Sequence, residues 1–474
     1  MSPLNLLSTV HVSLVAPLAK SFASPFAESS FSASPFAVDA ASQPPLPAPF
    51  WFIQFFKGLG FFLHQIPMHL WFVGTLLAVA LGVYGCVNGK TFSRRFARQL
   101  PFLIALGINF GIVPLLFIQV AYPKAFYNAT ILIAWPWLFV IAFLIPAYYG
   151  VYLYATSKKT ASPDMPSACD QQECKSLLKR WKIPLAAGWL ATGCLTLISL
   201  IFATGFSVLV AGPERWLHLW EATNVAGAVT GVSLNLLSLA FWSRWLLTAG
   251  LALGTLSAWV TLDSGFFADS ESDAYHDWSQ RFAMLLTVGQ ACIATVSGAV
   301  YIWTWKVSLG IFGWTIMLIG LAMLWLPLLL WAKFAITRWN TVRERLRNGI
   351  HGLDFPMQKV GKSQVIALVV SQLIVLLSHT IARQLLQNAQ VANVYTGGVG
   401  SQPVDPQWSA IALFLISFVG GVVAIGWMLY KILSVTLLSS VVTDAEVVVD
   451  SSVLNDEPQT SEAIEDSDKI GQCG

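Results

Sequence analysis

Long runs of apolar residues recur along the chain from Trp51 onward, with short polar segments between them. The runs are continuously apolar rather than alternating, which favours helices over the strands of a membrane β-barrel. A helix of roughly 20 residues crosses a hydrocarbon core of about 30 Å. We therefore predict an all-α fold, a polytopic transmembrane helical bundle of about 9–10 helices. The predicted spans lie near 60–87, 99–121, 128–155, 184–211, 219–242, 245–263, 283–304, 307–332, 364–388 and 408–436.

Two polar tails flank this transmembrane helical domain, which we place at residues 51–436. Residues 1–50 are rich in Ser, Ala and Pro, a composition typical of disorder. A signal peptide has basic residues before its apolar stretch, and this segment has none there. We therefore favour a retained tail over a cleaved signal peptide. Residues 437–474 contain nine acidic residues against one Lys, which also predicts a disordered, solvated tail.

The composition supports a lipid bilayer as the surroundings of the protein. Hydrophobic residues make up 56% of the chain and charged residues only 11%, whereas about 25% of an ordinary soluble domain is charged. The 20 Trp and 30 Phe residues are typical of membrane interfaces. Lys and Arg lie in short loops and the net charge is only +3, so the sequence predicts no nucleic-acid partner.

Basic loops predict the orientation, because Lys and Arg concentrate on the cytoplasmic side. The loops that contain residues 90–98 and 158–182 are basic, which predicts an outside N-terminus, as in a protein of the bacterial inner membrane. A count of ten spans, however, places the basic loop 333–362 outside as well. Either one predicted span is wrong or this loop docks an acidic partner.

Ionisable residues inside a membrane are costly and are therefore functional candidates. The centres of the predicted spans contain almost none, and Asp263 and Arg383 lie near predicted ends, where they reach the interface. No buried proton relay is visible, which disfavours a proton-coupled transporter.

Histidine is more informative, because a neutral imidazole is a common axial ligand of haem iron. His69 and His218 open the first and fifth predicted spans from the same side, so we predict that they lie at one depth. For His64 and His379, which also lie in or beside apolar runs, a local hydrogen bond is the favoured interpretation. The chain has no Cys-x-x-Cys-His, so any haem is non-covalent.

Three segments resemble subunit I of the cytochrome bd quinol oxidases, over residues of about 60–300. The first is Met-His-Leu-Trp-Phe-Val at 68–73, and the second is Gly-Ile-Asn-Phe at 107–110. The third is Trp-Leu-His at 216–218, followed by a run of small residues at 225–231. The resemblance implies that His69 binds an active-site haem, and that His218 and Met284 bind a low-spin haem b.

The same resemblance implies respiratory electron transfer with quinone as substrate. Residues 131–154 lack the glutamates that the family uses for proton delivery, and the family's long quinone loop is reduced to residues 267–280. We therefore expect a b-type cytochrome-like subunit that passes electrons between a quinone pool and a redox partner such as a cytochrome. Two alternatives are a quinol oxidase subunit that reduces oxygen and a cofactor-free permease or membrane anchor.

Overall fold

The structure is a computed structural model, and it describes residues 45–160, 171–305, 309–347, 360–395, 398–424 and 426–427. This part of the chain is a bundle of helices and contains no β-strand, which confirms the predicted all-α fold. Eight of its segments are helical, long and apolar enough to cross a membrane. The chain is therefore an integral membrane protein. Most of the two predicted tails lies outside the described residues.

Twelve helices are used below. They are α1 (Phe50–Tyr84), α2 (Val87–Ala121), α3 (Pro123–Leu132), α4 (Ala134–Thr160), α5 (Gln171–Leu209), α6 (Pro213–Thr223), α7 (Leu239–Phe266), α8 (Asp273–Trp303), α9 (Ile311–Met323), α10 (Leu326–Arg347), α11 (Lys362–Val391) and α12 (Trp408–Ala424).

The candidate spans are α1, α2, α4, α5, α7, α8, the α9–α10 pair and α11. Helices α3 and α6 are too short to cross a bilayer. The last predicted span, 408–436, corresponds within the described residues to α12 of 408–424. This helix belongs to a separate compact unit that begins at Pro406.

The predicted span 219–242 is wrong. Helix α6 ends at Thr223, and the chain runs without a regular helix until α7 begins at Leu239. Three residues in this segment, Ala226, Gly227 and Gly231, have positive φ angles, which a right-handed helix does not allow. The hydroxyl of Thr230 donates to the carbonyl of Thr223 at 2.7 Å, a local bond that competes with helix formation.

Removing that span resolves the conflict over the basic loops. With eight alternating crossings, the segment between the seventh and eighth spans falls on the same side as the segments that follow the first and third spans. Each of the three segments either contains several Lys and Arg residues or lies directly beside them in the sequence. The basic loop 333–362 is therefore no longer an exception to the rule that basic loops lie on one side of the membrane.

Helices α1 and α2 approach closely because glycines on α2 leave room for large side chains on α1. A Cβ atom on Gly107 would lie 2.8 Å from Trp71 Nε1, and one on Gly111 would lie 2.8 Å from His64 Cε1. These two glycines are four residues apart, so they lie on one face of α2 and form a groove. The groove receives both aromatic rings.

A π-helical turn interrupts α1 at Leu70–Gly74, directly after His69. All five residues of the turn are buried. Such turns shift the register of a helix by one residue and often occur at functional sites. Pro67 also removes one backbone donor just before this point, so α1 is irregular on both sides of His69.

One cluster of charges ties α2 to α7 and the loop after it. Arg95 donates to both carboxylate oxygens of Asp263 at 2.9 and 3.0 Å. It also donates to Glu271 at 3.3 Å and to the carbonyl of Phe267 at 2.6 Å. This guanidinium is neutralised entirely by the protein.

Candidate functional site

A cavity of about 350 Å³ lies inside the bundle between α1, α2, α5, α7, α8 and α11. Its volume is in the range of about 300–1,000 Å³ that is usual for small-molecule and cofactor sites. Most of its wall is apolar. The ionisable side chains that line it are His64, His69, Arg244, Tyr301, His379 and Arg383.

The imidazole of His64 reaches the cavity from α1. Its Nδ1 lies 2.9 Å from the carbonyl oxygen of Gly107. A carbonyl oxygen only accepts hydrogen bonds, so Nδ1 carries the proton and Nε2 carries a lone pair. The backbone of the Gly-Ile-Asn-Phe segment therefore sets the tautomer of His64.

His69 lies five residues further along α1 and is 1% exposed. Its Nδ1 is 2.9 Å from the hydroxyl of Thr255 on α7. Thr255 donates its own proton to the carbonyl of Leu251 at 3.0 Å, so its oxygen is an acceptor for His69. Nδ1 is again the protonated nitrogen, and Nε2 keeps the lone pair.

His379 enters the cavity from α11. Its Nδ1 lies 3.3 Å from the amide oxygen of Gln65 on α1. The amide nitrogen of Gln65 donates to Thr380 at 2.8 Å and to the carbonyl of Leu376 at 3.1 Å, which orients the oxygen towards His379. The ring of His379 also lies 6.0 Å from that of Phe61.

The three histidines therefore share one arrangement. Each donates from Nδ1 to an acceptor on a neighbouring helix or turn, and each leaves Nε2 without a hydrogen bond from any described residue. All three side chains line the same cavity, but within the described part of the chain they do not form a cluster that could hold a single metal ion by itself. Metal-binding histidines in proteins are held in this manner, with the second nitrogen fixed by an outer hydrogen bond.

Two arginines line the same cavity. The guanidinium carbon of Arg383 lies 3.9 Å from the centre of the Phe61 ring. The guanidinium carbons of Arg383 and Arg244 are each 5.2 Å from the centre of the Phe206 ring. Both ion pairs among the described residues belong to Arg95, so neither of these arginines has a carboxylate partner there.

A buried polar cluster lies beside Arg383. Lys57 of α1 is 0% exposed and donates to the hydroxyl of Tyr122, which in turn donates to the side-chain oxygen of Asn388. Gln54 donates to the same hydroxyl at 3.2 Å. Burial raises the pKa of the Tyr122 hydroxyl above its ordinary value, so it remains a proton donor in this cluster.

The structure does not bring the other two predicted ligands to the cavity of His69. His218 lies on the short helix α6, where its side chain is exposed. Met284 lies on α8 and is 42% exposed. The prediction that His218 opens a membrane span is wrong, because α6 is only 11 residues long.

Arg383, which was predicted near the end of its span, lines the cavity in the structure. It lies on α11 one helical turn after His379, and the Gln387 side chain follows one turn later. This spacing of four residues places all three on one face of the helix. The same spacing is visible in the sequence and could have predicted that this face of α11 forms the polar wall of a cavity. Two methionines that sequence reasoning missed, Met68 and Met317, line the cavity as well.

A search of protein-family models finds none that matches the chain. A search of curated proteins likewise finds no significant match. The class of protein rests on the fold and the cavity, which define an integral membrane helical bundle with a histidine-lined internal site.

Proposed function

We propose that the chain is a b-type cytochrome-like subunit that holds haem in the cavity between α1, α7 and α11. The observation that carries this proposal is the set of three histidines, His64, His69 and His379, whose Nε2 atoms are free for coordination. A neutral imidazole with a fixed tautomer is the form that binds haem iron.

The remaining lining fits a large, flat and apolar group. Aromatic and aliphatic side chains from several helices form most of the wall, including Trp71, Phe72 and Trp245. The thioethers of Met68 and Met317 add two further side chains of a type that ligates haem iron. Haem, when bound, would supply one-electron exchange between ferric and ferrous iron.

The protein's own part in this function is to hold and insulate the group. The hydrogen bonds that the three imidazoles donate to Gly107, Thr255 and Gln65 orient the rings before any ligand binds. The apolar wall keeps water away from the site, which influences a haem's reduction potential. We propose a role between a membrane quinone and a partner redox subunit, in keeping with the resemblance to subunit I of the cytochrome bd quinol oxidases.

Electron transfer is favoured over oxygen reduction by the absence of acids at the cavity. No Asp or Glu side chain lines it within the described part of the chain. Reduction of oxygen to water consumes protons, which membrane proteins commonly deliver through buried carboxylates. We also propose an N-terminus outside and a bacterial inner membrane, since eight spans then place the basic segments in the cytoplasm.

Absorption spectroscopy of the purified full-length protein tests the proposal. We expect reduced-minus-oxidised bands of a b-type haem, and we expect His64→Ala, His69→Ala or His379→Ala to lower the haem content or shift the bands. The matched control is His218→Ala, on an exposed position outside the cavity. Thermal unfolding of each variant separates loss of haem from loss of fold. Wild-type bands and haem content in all three cavity variants would exclude these histidines as ligands.

A further inference from the structure

The cavity contains more positive charge than the protein neutralises. Arg244 from α7 and Arg383 from α11 both line it, and both guanidinium groups lie 5.2 Å from the Phe206 ring centre. Each guanidinium group carries five N–H donors and no acceptor. No described residue provides a hydrogen bond or a carboxylate for either group.

Such an arrangement is costly for a membrane protein. An arginine inside a bilayer normally faces an anion, a backbone carbonyl or water. Two like charges near one ring also repel each other. An anionic ligand between the two guanidinium groups would remove both costs.

The position of the arginines restricts the kind of anion. They are set in an otherwise mostly apolar cavity, and Arg383 also stacks at 3.9 Å on Phe61, beside His379. The Gln387 side chain, 4% exposed, lies one turn further along α11 and lines the same space. A small hydrated anion would leave the apolar wall uncovered. An amphiphile would cover the wall with its apolar body and bring its charge to the arginines.

We propose that Arg244 and Arg383 form a carboxylate-binding end of the cavity, which selects a ligand with an apolar body and one or more carboxylate groups. Planar guanidinium groups bind carboxylates through two parallel hydrogen bonds, which gives direction as well as attraction. The proposal rests on the proposed function only for the identity of the ligand. Haem has two propionates, whereas a long-chain fatty acid has one carboxylate on a flexible apolar chain.

Ligand titration of the full-length protein, purified without haem in neutral detergent, tests this assignment. The probes are protohaem IX, its dimethyl ester and palmitate, and quenching of tryptophan fluorescence reports binding because Trp71, Trp245 and Trp305 line the cavity. We expect the free acid of protohaem to bind about 10- to 100-fold more tightly than the diester, the effect of losing charge-assisted hydrogen bonds. Arg244→Gln and Arg383→Gln should each reduce this preference, and the double variant should abolish it.

The control variant is Arg281→Gln, an exposed arginine that does not line the cavity. It should keep the wild-type preference. Thermal unfolding of the double Gln variant checks its fold.

The outcomes separate this inference from the haem function. Equal binding of protohaem and its diester by the wild type would overturn the carboxylate site and leave haem binding intact. Arginine-dependent binding of palmitate without any binding of haem would support the carboxylate site and reject the haem function. A wild type that binds neither carboxylate probe would overturn both.

Discussion

Arginine is used in two opposite ways in this bundle. Arg95 makes four hydrogen bonds, two to Asp263, one to Glu271 and one to a backbone carbonyl, so the protein neutralises its charge. Arg244 and Arg383 face a cavity where no described residue supplies a carboxylate. The first cluster joins α2 to α7 as part of the fold. The second leaves positive charge and N–H donors without a partner among the described residues, which is the property of a site for a ligand.

Arg95 therefore contributes to the stability of the fold, whereas we propose that Arg244 and Arg383 contribute to ligand binding. Removing a member of a satisfied ion pair leaves its partner charged and alone, which destabilises the fold. Removing a cation that has no carboxylate partner relieves repulsion and loses only its contact with an aromatic ring until a ligand is present. Substitutions at the two kinds of arginine, and at the residues that hold the histidines, test this distinction.

Arg95→Gln should destabilise the protein by about 3 kcal/mol, because Asp263 then keeps a buried charge without a partner. The measurement is thermal unfolding of the purified protein, followed by tryptophan fluorescence. The double variant Arg244→Gln/Arg383→Gln, without ligand, should unfold at or above the wild-type temperature. If the double variant without ligand were as unstable as Arg95→Gln, the two clusters would not differ in kind.

Gly111→Ala should strongly reduce haem content, since the new Cβ would lie 2.8 Å from Cε1 and 3.0 Å from Nδ1 of His64. The ring must then move away from the Gly107 carbonyl that fixes its tautomer. Haem is measured per protein by absorption after purification. The control is Gly193→Ala on α5, where an added Cβ meets nothing within 4 Å. Unchanged haem in Gly111→Ala would remove His64 from the site.

Thr255→Val should weaken haem binding by about 10- to 100-fold, the usual effect of losing an outer hydrogen bond to a ligating histidine. Valine keeps the shape of threonine but offers no acceptor to His69 Nδ1. Haem titration of the variant measures the change. The matched control is Thr261→Val on the same helix, whose hydroxyl bonds the carbonyl of Ser257 in its own helix. Equal affinities of the two variants would contradict a role for His69.

The double variant His218→Ala/Met284→Leu should keep the wild-type spectrum and haem content, with a change below about twofold. Both side chains are exposed and neither lines the cavity. Optical spectra of the purified variant provide the measurement. Loss of a b-type band here would restore the ligand set that the resemblance to the cytochrome bd family implies.

The sequence predicted the helical bundle well, because runs of about 20 apolar residues have few alternatives to a membrane helix. It failed at residues 219–242, where apolar content is high but positive φ angles at Ala226, Gly227 and Gly231 exclude a helix. That error placed His218 at the start of a membrane span that the structure does not have. Hydropathy measures how apolar a segment is and does not report its backbone conformation.

The candidate site was only partly predictable. His69 was singled out from the sequence, whereas His64 and His379 were assigned to local hydrogen bonds. Those bonds exist, to Gly107 and to Gln65, but they occupy Nδ1 and leave Nε2 facing a cavity. Helices α1 and α11 meet at Gln65 and His379, which are more than 300 residues apart in the sequence. The periodicity of a single helix cannot predict such a contact.

The most direct test of the central claim is the haem content of the wild-type protein, purified from membranes and measured as the pyridine haemochrome per chain. We expect at least one non-covalent b-type haem for each chain, released by acidic acetone because no Cys-x-x-Cys-His attaches it. A folded protein that contains no haem, and that binds none when haem is added, would exclude the proposed haem site.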